Sequence, residues 1–276
     1  MEWFQAALER YRHEHHQDGY PASPRRSISK RSAPLPIVYT RTRCVEVPDG
    51  ILRERRILAA FQKGPYVDAF KILRTQVMHR LQEKGWNTIG ISSPGEHEGK
   101  TLTAVNLAVS VAMDITRSVL LVDANLRSPR IHDLLALGDC EGLTDYLLDD
   151  VPVEDLLIHP GIGRFVVMPG GRAIPNTAEA LTSPKMLALV EEFRHRYPSR
   201  VIIYDLPPLL HGSDVLAFSP SIDALLLVVE EGRTRSEDVE RALSLVKNST
   251  HVLGTVLNKA ERAAATPGGM KKLLVS

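Results

Sequence analysis

From about residue 60 onward, short runs of Val, Ile and Leu alternate with longer stretches in which apolar residues recur every three or four positions. The short runs are Thr88–Ser92, Ser118–Asp123, Phe165–Met168, Val201–Asp205, Ala224–Val229 and Val252–Asn258. They are apolar on both faces, as strands of a buried parallel sheet must be. The longer stretches, 66–83, 100–114, 178–197 and 235–248, predict helices. Strands that alternate with helices predict an α/β fold: a doubly wound, mostly parallel sheet with helices on both faces. In such sheets ligands bind at the carboxyl ends of the strands, so the residues that follow each run carry the chemistry.

The pattern is different upstream. Trp3, Phe4, Ala7, Leu8 and Tyr11 recur at helical spacing and predict an amphipathic helix over 1–16, docked on its own domain or offered to a partner. Pro, Ser, Gly and Arg then take over, as in Gly19-Tyr20-Pro21-Ala22-Ser23-Pro24-Arg25-Arg26-Ser27. Residues 17–60 therefore read as a flexible linker. Arg25, Arg26, Lys30, Arg31, Arg41 and Arg43 make it basic, suited to solvent or to an anionic lipid surface. The expected organisation is a helix over 1–16, a linker over 17–60, a nucleotide-binding domain over 61–262 and a tail over 263–276.

Composition narrows the function classes. The 276 residues hold 34 Lys and Arg against 33 Asp and Glu, a balance that argues against a nucleic-acid partner. Two cysteines, Cys44 and Cys140, form neither a zinc spacing nor a disulfide framework and point to a reducing compartment. The N-terminal residues do not read as a signal peptide. No stretch approaches the roughly 20 apolar residues of a membrane span. A cytoplasmic protein is expected, brought to the membrane by a partner or a surface.

The first chemistry follows the run that ends at Ser92. Ser93-Pro94-Gly95-Glu96-His97-Glu98-Gly99-Lys100-Thr101 separates that strand from a predicted helix, the context a P-loop requires. Backbone N–H groups of Gly95, Glu96, His97, Glu98, Gly99, Lys100, Thr101 and Leu102 can surround a phosphate, with the helix N-terminus behind them. Lys100 supplies a mobile cation for the β and γ oxygens, and the Thr101 hydroxyl is a hard ligand for Mg²⁺. ATP with Mg²⁺ is the expected ligand. Pro94 stands where the usual pattern has glycine.

Two further strands end in aspartate. Val119-Leu120-Leu121-Val122-Asp123 leads into Ala124-Asn125-Leu126-Arg127, and Val201-Ile202-Ile203-Tyr204-Asp205 leads into Leu206-Pro207-Pro208. A single Asp after a strand also serves as a helix cap. Two at corresponding strand ends beside a P-loop suit a Mg²⁺–nucleotide site. Lys100, Asp123 and Asp205 are thus the candidate catalytic residues. Thr101, Asp123 and Asp205 are the candidate metal ligands, with Asn125 as a further one.

Together these residues resemble the bacterial tyrosine kinases of capsule and exopolysaccharide synthesis, in their separate cytoplasmic form, over residues 64 to 260. Asp123-Ala124-Asn125-Leu126-Arg127 is similar to the family's Asp-x-Asp-x-Arg, and Asp205-Leu206-Pro207-Pro208 to its Asp-x-Pro-Pro. Pro169-Gly170-Gly171 with Asn176 and Glu179-Ala180-Leu181 also fits. In Gly254-Thr255-Val256-Leu257-Asn258-Lys259 the resemblance implies that Asn258 contacts adenine. The family's Glu-x-x-Arg-x-x-Arg helix, used in ring assembly, stands here as Asp68, Lys71 and Arg74. The resemblance implies a P-loop NTPase fold, a homo-oligomer, a membrane-embedded polysaccharide co-polymerase or activator as partner, and recruitment to the inner face of the plasma membrane.

Three departures stand beside it. Asn125 replaces the second acidic residue, Lys71 lacks the bidentate fork of arginine, and residues 266–276 contain no tyrosine for the family's C-terminal acceptor cluster. An ATP-dependent protein-tyrosine kinase that regulates polysaccharide polymerisation and export is the leading expectation. Its autophosphorylation then needs another tyrosine, and Tyr11, Tyr20 and Tyr39 are candidates. The alternative is a weakly active or inactive ATP-gated module that switches a membrane co-polymerase. A partitioning-type ATPase of related fold would carry an extra lysine where Gly95 stands.

Overall fold

The structure is a computed structural model that describes residues 42–114, 116–196 and 199–260. In chain order the elements are β1 (Arg43–Cys44), α1 (Asp49–Glu54), α2 (Pro65–Lys84), β2 (Thr88–Ser92), α3 (Lys100–Ala112), β3 (Ser118–Asp123), α4 (Ile131–Leu134), α5 (Leu143–Asp149), α6 (Val153–Leu156), β4 (Ile158–His159), β5 (Phe165–Met168), α7 (Thr177–Leu181), α8 (Pro184–Arg196), β6 (Arg200–Asp205), α9 (Asp214–Phe218), β7 (Ala224–Glu230), α10 (Ser236–Val246) and β8 (His251–Asn258). The strands form one sheet in the order β1-β4-β5-β3-β6-β2-β7-β8. Neighbours are parallel except β4 and β5, which are antiparallel.

Each buried strand feeds two cores because successive side chains point to opposite faces. Val119 and Leu121 join the core under α2 and α3, whereas Leu120 and Val122 join the core under α8, α9 and α10. Both faces are covered, which is why the strand runs show no polar alternation. Each fully buried Leu, Ile or Val contributes about 1.5–3 kcal/mol. Gly90 sits at the centre of β2, where a Cβ would lie 2.6 Å from the Ile222 Cδ1 and 2.7 Å from the Leu206 Cδ1. A larger residue would have to displace these side-chain ends and disturb the packing behind the strand that carries the P-loop.

The six predicted strands are all present. The predicted helix over 178–197 is two helices instead, α7 and α8, broken at Thr182 and Ser183. Proline disfavours helical geometry in the residue before it, so Ser183-Pro184 ends one helix and starts the next. The Ser183 hydroxyl accepts the Met186 N–H at 3.2 Å.

The folded unit begins earlier than residue 61. Residues 43–60, expected within the linker, pack on the domain, with Leu52 and Ile57 buried. Asn106 on α3 fastens them. Its Oδ1 accepts the Ala59 N–H at 3.0 Å, and its Nδ2 donates to the Arg56 carbonyl at 3.0 Å. The predicted helix over 1–16, the linker up to residue 41, the tail over 263–276 and the tyrosines Tyr11, Tyr20 and Tyr39 lie outside the described residues.

The charged row on α2 is engaged within its own chain. Asp68 pairs with Lys71 at 3.6 Å, and Lys71 donates to the Gln62 carbonyl at 3.3 Å. The Arg74 guanidinium turns onto α3 and donates to the Ser110 carbonyl at 2.9 Å, while the Ser110 hydroxyl donates to the Phe70 carbonyl at 3.2 Å. Arg74 and Asn106 thus tie the helix that starts at Lys100 to the segment in front of it.

Candidate nucleotide and metal site

The loop between β2 and α3 is held open by partners on every side. Its backbone is left-handed at His97 (φ 63°) and at Gly99 (φ 90°). A Cβ on Gly99 would collide with the Asn258 amide, so this position admits only glycine. The Asn258 Nδ2 donates to the Glu98 carbonyl at 2.8 Å, and Lys259 Nζ donates to the His97 carbonyl at 2.8 Å. The Glu98 carboxylate is buried, accepting the Gly95 N–H at 2.8 Å and the Thr234 hydroxyl. The Ser93 and Pro94 carbonyls accept the N–H groups of Leu209 and Leu210 at 2.8 and 3.2 Å, which sews the loop to the segment after β6. Pro94 contributes only its carbonyl, so the missing glycine and the missing N–H are tolerated there. A loop fixed in this way loses little entropy when it closes on an anion.

Lys100 is the first residue of α3, so its ammonium, the Thr101 hydroxyl and the helix N-terminus share one end of the helix. Lys100 Nζ lies 3.3 Å from the Thr101 Oγ1. Leu102 completes the first turn of α3. The Glu96 and His97 side chains are 59% and 72% exposed and lie 3.9 Å apart, so these two residues offer a phosphate their backbone rather than their side chains.

Asp123 and Asp205 are opposite each other in the register of β3 and β6, and both are fully buried. Their partners differ. The Asp123 Oδ2 accepts the N–H groups of Arg130 and Ile131 at 2.9 and 3.0 Å, and its Oδ1 accepts the Asn125 N–H at 3.3 Å. Neither oxygen of Asp205 has a hydrogen-bond partner. Burial, and then the charge of Asp205, push the pKa of Asp123 above the ordinary carboxylate range against the pull of its three backbone donors. Burial also raises the pKa of Asp205, opposed by the Lys100 ammonium and the Thr101 hydroxyl.

A buried carboxylate with two empty oxygens costs several kcal/mol unless a cation compensates it. Asp205, the adjacent Thr101 hydroxyl and the neighbouring Asp123 are hard oxygen donors of the kind Mg²⁺ takes. Among the described residues no group of three or more His, Cys, Asp or Glu side chains gathers around one point. A divalent ion held here would therefore draw its remaining ligands from water and phosphate, as Mg²⁺ does in nucleotide sites. Asn125 is 7% exposed, and its Nδ2 donates to the Ser128 carbonyl at 3.0 Å, so the amide already holds the turn after β3.

All the predicted site residues from the P-loop, β3, β6 and β8 meet at one edge of the sheet. Sequence reasoning missed Thr234, which clamps Glu98, and Asp214, which is buried and binds Thr177 and Arg127, the latter at 3.3 Å. A threonine behind a strand and an aspartate opening a short helix are too common to stand out. Arg127 was visible only as part of a motif, and Asp214 is the partner that positions it.

A mostly parallel sheet with a phosphate loop after one strand and aspartates at the ends of two others defines a P-loop nucleotide-binding protein. Over 211 residues, 76% of this chain and 88% of the relative, it is 30% identical to the tyrosine-protein kinase YwqD of Bacillus subtilis. It is 29% identical over 201 residues to the tyrosine-protein kinase CpsD of Streptococcus agalactiae, which covers 72% of the chain and 86% of the relative. Among solved structures, the kinase domain of the Escherichia coli tyrosine kinase ETK matches with a TM-score of 0.65 and 26% identity, covering 83% of this chain and 94% of that one. No protein-family model matches the chain. The chain belongs to the bacterial tyrosine-protein kinases.

Proposed function

We propose that this chain binds Mg²⁺–ATP and transfers the γ-phosphoryl group to tyrosine hydroxyls, and that its phosphorylation state regulates polysaccharide polymerisation and export. The observation that carries the reading is the partnerless, buried Asp205 carboxylate beside Lys100 and Thr101 at the mouth of the P-loop. The backbone N–H groups of Glu96 to Leu102 would surround the β-phosphate, the Gly95 N–H being already given to the Glu98 carboxylate, and Lys100 would neutralise the transferred group. Asp205 and Thr101, with Asp123 beside them, would hold Mg²⁺, which would supply positive charge against the phosphates. Asp123, raised toward neutrality by burial and by Asp205, accepts the proton of the attacking tyrosine; a base is most effective when its pKa approaches the working pH. The Asn258 Nδ2 is committed to the Glu98 carbonyl, which leaves its oxygen for the exocyclic amine of adenine.

The likeness to CpsD and YwqD supports a homo-oligomer and a membrane-embedded co-polymerase as the activating partner, with recruitment to the inner face of the plasma membrane. Among the described residues no helix is long and apolar enough to cross a membrane.

The test is Lys100→Ala. A charge-assisted contact is worth about 1.5–3 kcal/mol, so ATP affinity should fall roughly 10- to 100-fold. Calorimetric titration with ATP and Mg²⁺, together with circular dichroism, reads affinity and folding separately. Unchanged affinity in a folded variant would remove the phosphate site from this loop.

A further inference from the structure

The tyrosines among the described residues differ in what covers them. The Tyr204 ring on β6 is fully buried and meets the Phe218 ring edge-on at 5.2 Å. Tyr146 on α5 is half-buried, with the Lys185 ammonium 4.6 Å from its ring centre. Tyr66, in the first turn of α2, is 64% exposed, the most of any exposed large apolar side chain among the described residues. Its phenol has neither a hydrogen bond nor a ring contact among those residues. Of the three, only Tyr66 offers its hydroxyl to another molecule without any loss of packing.

The turn beneath Tyr66 is anchored. Val67 is 3% exposed. One turn on, the Phe70 carbonyl accepts the Ser110 hydroxyl at 3.2 Å, and Arg74 donates to the Ser110 carbonyl at 2.9 Å. Ser110 lies about 15 Å beyond Lys100 along α3. Tyr66 is one turn, about 6 Å, ahead of Phe70. At least about 9 Å along α3 therefore separates Tyr66 from its own P-loop, besides the roughly 8–10 Å between packed helices. The ring faces solvent, away from α3. While α2 stays docked, Tyr66 cannot enter the site of its own chain, but a second copy can reach it from solvent.

The same turn accommodates the product. Pro65 has no N–H, and the N–H groups of Tyr66 and Val67 have no acceptor within α2, whose first backbone bond runs from Asp68 to the Gly64 carbonyl at 3.1 Å. Helical side chains tilt toward the N-terminus, so a phosphate on Tyr66 stands near these donors and the positive end of the helix. Lys63 is exposed just ahead of it. Asp68, the acidic neighbour in the turn, is already paired with Lys71. A new dianion here docks on α2 rather than melting it.

We infer that Tyr66 is a phosphorylation site, modified by a second copy of this chain. The inference rests on the kinase reading above and names its acceptor. The phenolic oxygen of Tyr66 bonds to the γ-phosphorus as the bond to the β–γ bridging oxygen breaks. ADP leaves with that electron pair, and the phenolic proton passes to Asp123 of the copy that holds the nucleotide.

The experiment mixes two full-length chains with Mg²⁺ and ATP: an active chain bearing Tyr66→Phe, and an isotope-labelled Lys100→Ala chain that keeps Tyr66. Phosphotyrosine is mapped by mass spectrometry, with an exogenous tyrosine peptide as a second acceptor. Phosphate is expected on Tyr66 of the labelled chain at a rate that doubles when the active chain is doubled. An Asp205→Asn chain in place of Lys100→Ala should be labelled at the same position, which separates acceptance from any misfolding of one variant. Tyr66→Phe should leave transfer to the peptide unchanged. In the unsubstituted chain, incorporation at Tyr66 per molecule should fall on dilution. Transfer to the peptide with Tyr66 left bare in both inactive chains, or a rate at Tyr66 that dilution does not change, overturns this inference and leaves the kinase reading standing. No transfer to any acceptor overturns both.

Discussion

The carboxyl ends of β3 and β6 carry the same residue in register, at the same depth, yet one aspartate is satisfied and the other is not. Asp123 is wrapped by the turn that follows it, which returns three backbone N–H groups to its carboxylate. Behind Asp205 come Leu206, Pro207 and Pro208, and the two prolines have no N–H to return. The empty oxygens of Asp205 are therefore a consequence of the residues after the strand rather than of the strand. A charge left bare in this way stores free energy that a cation releases, whereas a wrapped carboxylate keeps its position with or without a ligand. Under the proposed function this difference becomes a division of labour between two like residues, with Asp205 as the metal's primary anchor and Asp123 as the fixed base.

The largest effect that tests this division is on turnover. Asp205→Asn should lower phosphoryl transfer about 100-fold or more, the scale of losing one preorganised electrostatic contact. It should also weaken the Mg²⁺ affinity measured by titration, which Asp123→Asn should leave nearly unchanged while still slowing transfer. Equal losses of Mg²⁺ affinity in both variants would erase the distinction.

Stability without nucleotide should move in opposite directions. Asp123→Asn turns an amide toward the Arg130 and Ile131 N–H groups and should cost about 1–3 kcal/mol. Asp205→Asn removes an uncompensated charge and should be neutral or stabilising by about 1 kcal/mol, a rise in Tm of roughly 2–4 °C for a domain of this size. Thermal melts in chelator read both.

The pH dependence follows from the same pair. Both carboxylates have folded-state pKa values raised above the ordinary value of 3.8. The folded state therefore holds protons that the unfolded chain has released. Stability of the Mg²⁺-free protein is fully present below about pH 4 as far as this pair is concerned, and is lost as pH rises through the raised values. Added Mg²⁺ should flatten that loss, and Asp205→Asn should remove part of it. A chelated protein that gains stability from this pair between pH 5 and neutrality, roughly the window set by the linkage relation, would contradict the burial argument.

The smallest effect concerns Asn125. Asn125→Asp loses the bond to the Ser128 carbonyl, costing about 1 kcal/mol in chelator, and adds a third carboxylate beside the pair. ATP hydrolysis across a Mg²⁺ titration should show tighter Mg²⁺ dependence and faster turnover in the variant. An Asp variant that is no faster would mean that Asn125 serves the turn alone.

The sequence by itself determined the six buried strands, the helix of the P-loop, Lys100 and Thr101, and the two aspartates. Each is a local pattern: an unbroken apolar run, a Gly-Lys-Thr before a helix, an acidic residue where a run stops. Tertiary structure alone decided what those residues touch. Asn106 reaches Ala59 across 47 positions, Asn258 reaches Glu98 across 160, and Thr234 reaches Glu98 across 136. The docking of residues 43–60 and the two-residue strands β1 and β4 were illegible for a related reason, since elements that short have no period of their own and exist only because the sheet edge beside them leaves unpaired backbone groups. Whether a buried aspartate is satisfied or bare is likewise not a property of the aspartate. It depends on whether the chain behind it bends back with its N–H groups, and that bend is fixed only when the surrounding elements pack.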